Sequence, residues 1–249
     1  MERLLAATAR AEDTHFWFLG LRRTAQQLLA ATTGGRRLER IIDCGAGTGR
    51  NMEWLATFGS VIGLELEPTG VRLARSRGRS VVRGTVVHLP FAARTVDLVT
   101  LFDVLQCLDD AAEREALREM RRVLKPGGLA LLNVAALDML RGSHSTLARE
   151  VRRYSRQRLG GAVRQAGFQV ERLTFTNLPL LPVALAVRSF ERLTGRLDES
   201  ERDLRVPSPV VNRGIDVALR LEARWLRRGD LPIGTSIMAV VRKPADAAD

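Results

Sequence analysis

The residues whose types and spacing promise chemistry are Asp43, Gly45, Gly47 and Gly49, arranged D-x-G-x-G-x-G directly after Arg40-Ile41-Ile42. Glycines at alternate positions accept positive φ and place no Cβ in the way. A small molecule can therefore lie against bare backbone where Asn51-Met52-Glu53-Trp54-Leu55 opens a helix. A dinucleotide turn would read G-x-G-x-x-G, and Arg50 stands where its last glycine is needed. A phosphate-cradling loop is excluded because no Gly-Lys-Ser/Thr follows. At the strand end, the carboxylate of Asp43 suits a ligand carrying an ammonium group better than one carrying phosphates. The run Ser60-Val61-Ile62-Gly63-Leu64-Glu65 then ends in a second acid. About twenty residues beyond the glycine turn is where a ribose presents vicinal hydroxyls to a bidentate carboxylate, so Glu65 is the expected ribose ligand. The competing readings are an ordinary glycine-rich turn and a solvated acid at a helix start.

Further motifs fall in register with this pair. Gly84-Thr85-Val86-Val87-His88-Leu89-Pro90-Phe91 leaves a short strand at Ser80–Arg83. Thr95–Phe102 is a continuous apolar strand followed by Asp103-Val104-Leu105-Gln106-Cys107-Leu108, and a helix over Glu113–Leu124 stops at Lys125-Pro126-Gly127-Gly128. Together with the glycine loop, these segments resemble the class I S-adenosylmethionine (SAM) dependent methyltransferases, of the type-11-like kind. Glu12, His15-Phe16-Trp17-Phe18 and Arg22, then Arg152-Arg153-Tyr154-Ser155, are similar to a bacterial branch of that family in which the N-terminal segment lies over the cofactor. The resemblance implies a Rossmann-like, doubly wound α/β fold with a seven-stranded, mainly parallel sheet and an antiparallel last strand. It implies SAM as cofactor and S-adenosylhomocysteine as product, held by Asp43, Gly45, Ala46, Gly47, Gly49, Glu65, Leu66, Thr85, Val86 and Phe102. The chain departs from the family pattern twice: Thr85 replaces the acid that approaches the adenine amino group, and Cys107 replaces a histidine.

Methyl transfer to a hydroxyl, amine or acidic carbon can call for a base. His144 and Tyr154 are candidates because they follow strand five, where substrate loops gather at the C-terminal edge of such a sheet, and His15 is a third. A solvent-exposed loop histidine is the plain alternative. No cluster with metal-ligand spacing is visible, and Cys44 and Cys107 have neither CxxC spacing nor a disulfide framework.

These residues must be positioned by a chain of 249 residues with 45% hydrophobic content, enough for one α/β domain. The reading divides it into a helical cap over 1–33, a SAM-binding core over 34–135, and lid insertions with the closing strands over 136–249. Ser155 caps a helix ahead of a strand at Phe168–Phe175, and Ile233–Lys243 is the final strand. The apolar stretch 177–187, together with Val217, Leu219, Leu221, Trp225 and Leu226, is expected to form a lid or pocket wall for a greasy substrate; plain core or dimer packing is the alternative. The net charge of +11 is carried almost wholly by dispersed arginine, with lysine at 125 and 243 alone, which weakens a nucleic-acid reading. The end of strand four also lacks the motif with which adenine-N6 enzymes stack a flipped base. No apolar leader follows Met1-Glu2-Arg3 and no apolar run spans a bilayer, so a cytoplasmic protein is expected, monomeric or homodimeric, with peripheral membrane contact left open. The expected function is methylation of a small, hydrophobic metabolite, such as a polyketide, quinone, terpenoid or lipid-like acceptor, in bacterial secondary metabolism. The alternatives are an RNA or protein methyltransferase and a SAM-fold protein without methyl transfer.

Overall fold

A computed structural model describes residues 2–142, 145, 149–194 and 206–245. Helices α1 (Glu2–Ala11) and α2 (Phe16–Thr33) precede the sheet. Strands β1 (Leu38–Cys44), β2 (Gly59–Glu65), β3 (Val81–Arg83), β4 (Val96–Phe102) and β5 (Leu124–Ala135) are joined through α3 (Asn51–Leu55), α4 (Pro68–Ser76) and α5 (Asp110–Val123). Then come α6 (Arg156–Gln165), β6 (Gln169–Thr176), α7 (Leu181–Thr194), α8 (Pro209–Trp225) and β7 (Ser236–Arg242). The seven strands form one sheet in the order β3-β2-β1-β4-β5-β7-β6. All pairs from β3 to β5 are parallel, and β7 runs antiparallel between β5 and β6. The expected fold class is therefore the observed one.

Strands β1, β4 and β5 are apolar on both faces because helices cover both. On one face Leu21, Ala25, Leu28 and Leu29 of α2 pack with Trp54 and Leu55 on Ile41, Leu98 and Leu131. On the other, Ala116, Leu117 and Met120 of α5 and Leu159 and Val163 of α6 pack on Ile42, Val99 and Leu132. Helix α2 stops at Gly34, whose φ of 59° lets its N–H bond back to Ala30 O. Helix α5 begins at Asp110, ahead of the expected Glu113, because the Asp109 carboxylate accepts from the N–H groups of Ala111 and Ala112. Strand β5 begins at Leu124 rather than Leu129, and its pairing with β4 shifts register between Val96 and Leu98, beside the Lys125–Gly128 turn. Ser155 caps α6 as expected, accepting from Arg158 N.

The apolar C-terminal segments divide differently from the expectation. On α8, Leu219 is buried, as is Leu226 just after it, whereas Val217, Leu221 and Trp225 are exposed. A helix lying on a surface can bury one side, and α8 uses that side against α2, where Leu219 sits so close to Gly20 that a Cβ there would lie 2.8 Å from Leu219 Cδ1. Among the described residues, no helix is long and apolar enough to cross a membrane.

Candidate active site

The parallel strands β1 and β4 lie side by side while their connections leave in opposite directions, so the C-terminal edge between them is the crevice where open α/β sheets bind ligands. A cavity of about 700 Å³ occupies it. Its floor is the loop after β1, where Gly45, Gly47 and Gly49 have φ of 72°, 54° and 76°. A Cβ on Gly45 would lie 2.4 Å from Val104 Cγ2, so that position has neither the backbone conformation nor the space for a side chain. Gly45, Ala46 and Gly47 line the cavity. Gly49 does not: a Cβ there would meet Ala74 Cβ at 2.9 Å, so its task is to let the loop close on α4.

Glu65 ends β2 at the cavity wall, nearly buried. Its Oε2 accepts from Gly47 N at 2.7 Å and its Oε1 from Glu67 N at 2.8 Å, which fixes the carboxylate plane across the loop. Leu66, Thr85, Val86 and Phe102 complete this side, and Thr85 Oγ1 accepts from Val87 N at 3.4 Å. Asp43 behaves differently from the expectation of direct contact. It lies beneath the loop, fully buried and outside the lining, with Oδ1 accepting from Thr100 Oγ1 at 2.7 Å and Oδ2 without a hydrogen-bond partner. Burial pushes its carboxyl up to about 7, the Thr100 hydroxyl opposes this, and the nearby Glu65 charge adds to it.

The roof is the α1–α2 junction. Glu12 is buried and takes Thr48 Oγ1 on both carboxylate oxygens, at 2.9 and 2.7 Å, and Arg77 Nη1 on Oε1 at 2.5 Å. Asp13 pairs with Arg50 in the same latch. His15 caps α2 and lines the cavity, its Nδ1 accepting from Trp17 N at 3.2 Å. In the neutral imidazole this acceptor role at Nδ1 leaves the proton on Nε2.

The other two expected bases are not brought here. Tyr154 is buried outside the cavity lining, its hydroxyl donating to Glu113 Oε1 at 2.8 Å, and burial followed by the Glu113 carboxylate pushes its phenol above the usual range. It holds α5 to the segment before α6. His144 lies outside the described residues.

The cavity instead contains an acid for which the sequence suggested no role. Asp103 follows β4 with φ of 58°, a conformation that L residues seldom adopt and that is stored at functional sites. Its Oδ1 accepts from Asn133 Nδ2 at 2.9 Å and Gln106 Nε2 at 3.2 Å, and its backbone N–H donates to Asn133 O. Burial pushes its carboxyl up to about 6; the Gln106 hydrogen bond works against that and the Glu150 charge with it. Beyond it the lining is mixed: Val104, Leu108 and Leu140 lead to Leu180, Val183 and Val187 of the α7 region, with Arg149, Glu150, Arg153 and Arg188 among them.

The residues fit a SAM-like group. Glu65 offers a fixed carboxylate for vicinal hydroxyls, Leu66, Val86 and Phe102 offer apolar surface for a base, and the bare loop lies above the orphaned Asp43 oxygen. Sheet order, glycine loop and terminal acid of β2 together define the Rossmann-like methyltransferase class. Residues 42–132 match the model of the methyltransferase domain family. A ubiquinone/menaquinone biosynthesis C-methyltransferase of Acidiphilium cryptum is 30% identical over 64% of this chain and 77% of its own length. The chain belongs to the class I SAM-dependent methyltransferase family. A malonyl-[acyl-carrier protein] O-methyltransferase of Coxiella burnetii is 34% identical over 43% of this chain, and a demethylmenaquinone methyltransferase of Corynebacterium kroppenstedtii 36% identical over 36%. The chain spans 38% and 39% of the lengths of these two relatives. Among solved structures, a SAM-dependent methyltransferase of Thermotoga maritima superposes with a TM-score of 0.58 at 22% identity, over 97% of each chain.

Proposed function

We propose that the protein transfers a methyl group from SAM to a small apolar acceptor. The carrying observation is that one cavity runs without a break from the glycine loop and Glu65 to the apolar side chains of α7, so donor and acceptor can share it. SAM supplies a methyl group on a sulfonium sulfur. Glu65 and the glycine loop would hold SAM so that the acceptor's electron pair could displace the sulfur from the methyl carbon, with S-adenosylhomocysteine as the leaving group. The chain's task is chiefly to hold the two reactants in line, from which much of the acceleration can come. Where the acceptor must shed a proton, Asp103 is the group in the cavity suited to take it, being held by Asn133 and Gln106 and raised towards neutrality. Relatives named for demethylmenaquinone and for malonyl-[acyl-carrier protein] mark out a range of acceptor chemistry, and Leu108, Leu140, Leu180, Val183 and Val187 in the lining support a quinone-like or polyketide-like molecule, with Arg149, Glu150 and Arg153 beside them to meet its polar groups.

Calorimetric titration tests the reading. SAM or its demethylated product should bind at micromolar strength, and Glu65→Ala should weaken binding more than about tenfold, since the carboxylate serves both the ribose and the loop N–H. An undetectable heat and an unchanged melting temperature on adding SAM would sink the proposal.

A further inference from the structure

Helix α8 turns a continuous apolar stripe to solvent. Val210, Gly214, Val217, Leu221 and Trp225 recur at helical spacing, and the four side chains are 83%, 49%, 61% and 57% exposed. The opposite side of the helix is committed: Leu219 meets Gly20, and Leu219, Ala223 and Leu226 are buried. The charges sort in the same way. Arg213, Arg220 and Arg224 are exposed beside the stripe, and Arg227 and Arg228 follow the helix. The helix's two acids are buried and engaged, Asp216 with Arg23 and Arg220, and Glu222 with the N–H groups of Asn177 and Leu178. The outward face of α8 is thus apolar and cationic, with no exposed acid among its residues.

A second copy docking through this face would bring arginine rows towards each other, which costs energy. A lipid surface bearing anionic headgroups complements both features, since apolar side chains enter the acyl boundary while guanidinium groups meet phosphates. The stripe also adjoins the cavity. Ile215 of α8 lines it, as do Val183 and Val187 of α7, which are themselves 58% and 43% exposed. We propose that α8 lies on the surface of an anionic bilayer, with the α7 side of the cavity facing the lipid. The corollary, that an apolar acceptor enters from the lipid, rests on the proposed methyl transfer; the docking does not.

Flotation of the full chain with phosphatidylcholine vesicles, with and without phosphatidylglycerol, tests this directly. The wild type should bind the mixed vesicles at least about tenfold more tightly than the neutral ones, with Trp225 emission shifting to the blue. Leu221→Glu should reduce that binding at least about tenfold while keeping its circular dichroism and its response to SAM. Loss of the emission shift in Trp225→Phe locates the contact. No vesicle binding at low salt overturns the proposal. So does binding that Leu221→Glu leaves intact, which would be diffuse arginine attraction. A dimer in light scattering that Leu221→Glu dissolves, without vesicle binding by the wild type, assigns the face to a second copy and also overturns it. Docking without any SAM response would instead refute the methyl-transfer reading and leave the docking standing.

Discussion

Asp103 carries the sharpest consequence at the scale of single residues. A base must be unprotonated to work, so the rate should fall as pH drops through its pKa of about 6. Asp103→Asn keeps the shape and both amide neighbours but cannot accept the proton. It should lower kcat by about 10²-fold, flatten the acid limb of the pH profile, and leave the SAM dissociation constant within about threefold. An unchanged profile would remove Asp103 from the chemistry. This residue shows where sequence reading stops. Asp43 and the glycines announce themselves by spacing along one strand and turn, and Glu65 by its distance from them at the end of the next strand. Asp103 stands in an apolar motif, and what distinguishes it, a positive φ and amides from Asn133 and Gln106, arises from contacts between separate segments. Tyr154 errs in the opposite direction, for its position after strand five suggested the substrate side and its hydroxyl is turned inward to Glu113.

The elements were legible wherever one period and one cap decide them. The buried strands, the Ser155 cap and the helical character of residues 1–33 follow from local pattern. The roof latch does not, because Glu12 reaches Thr48 and Arg77 across 36 and 65 residues and no periodicity encodes that meeting. Glu12→Ala would leave the Thr48 hydroxyl and the Arg77 guanidinium without this partner, at a cost of about 1–3 kcal/mol. Limited proteolysis should then cut between α1 and α2 faster, SAM affinity should drop several-fold, and the far-ultraviolet spectrum should change little. Equal cleavage rates would show that the junction is held by its apolar contacts instead. The role of helix α8 stayed open between pocket wall and plain packing for a related reason. Apolar residues at helical spacing mark a face, and the sequence does not say which of two faces meets the protein; Gly20, by letting Leu219 close in, decides it.

At the scale of the whole molecule, pairs and burial set how stability depends on pH. Asp13, Asp97, Glu119 and Asp216 have lowered carboxyls, so their contribution is present above the ordinary range and lost in acid as pH falls through their folded values. Asp43, Asp103 and Glu222 are raised by burial, so their contribution is present below about pH 4 and lost as pH rises through their folded values, about 7 for Asp43 and about 6 for Asp103. Between these windows the raised groups govern. The melting temperature should therefore fall between about pH 5 and about pH 7.5, and Asp43→Asn, which cannot ionise, should reduce that slope. A slope unchanged in the variant would mean that Asp43 stays ionised throughout. The partnerless oxygen of Asp43 extends this to ligand uptake. A cation settling above the loop favours the carboxylate, so filling the cavity near neutrality would expel a fraction of a proton into the buffer. By the same linkage the apparent affinity for a cationic guest would climb as the solution is made more alkaline, until Asp43 has already given its proton away.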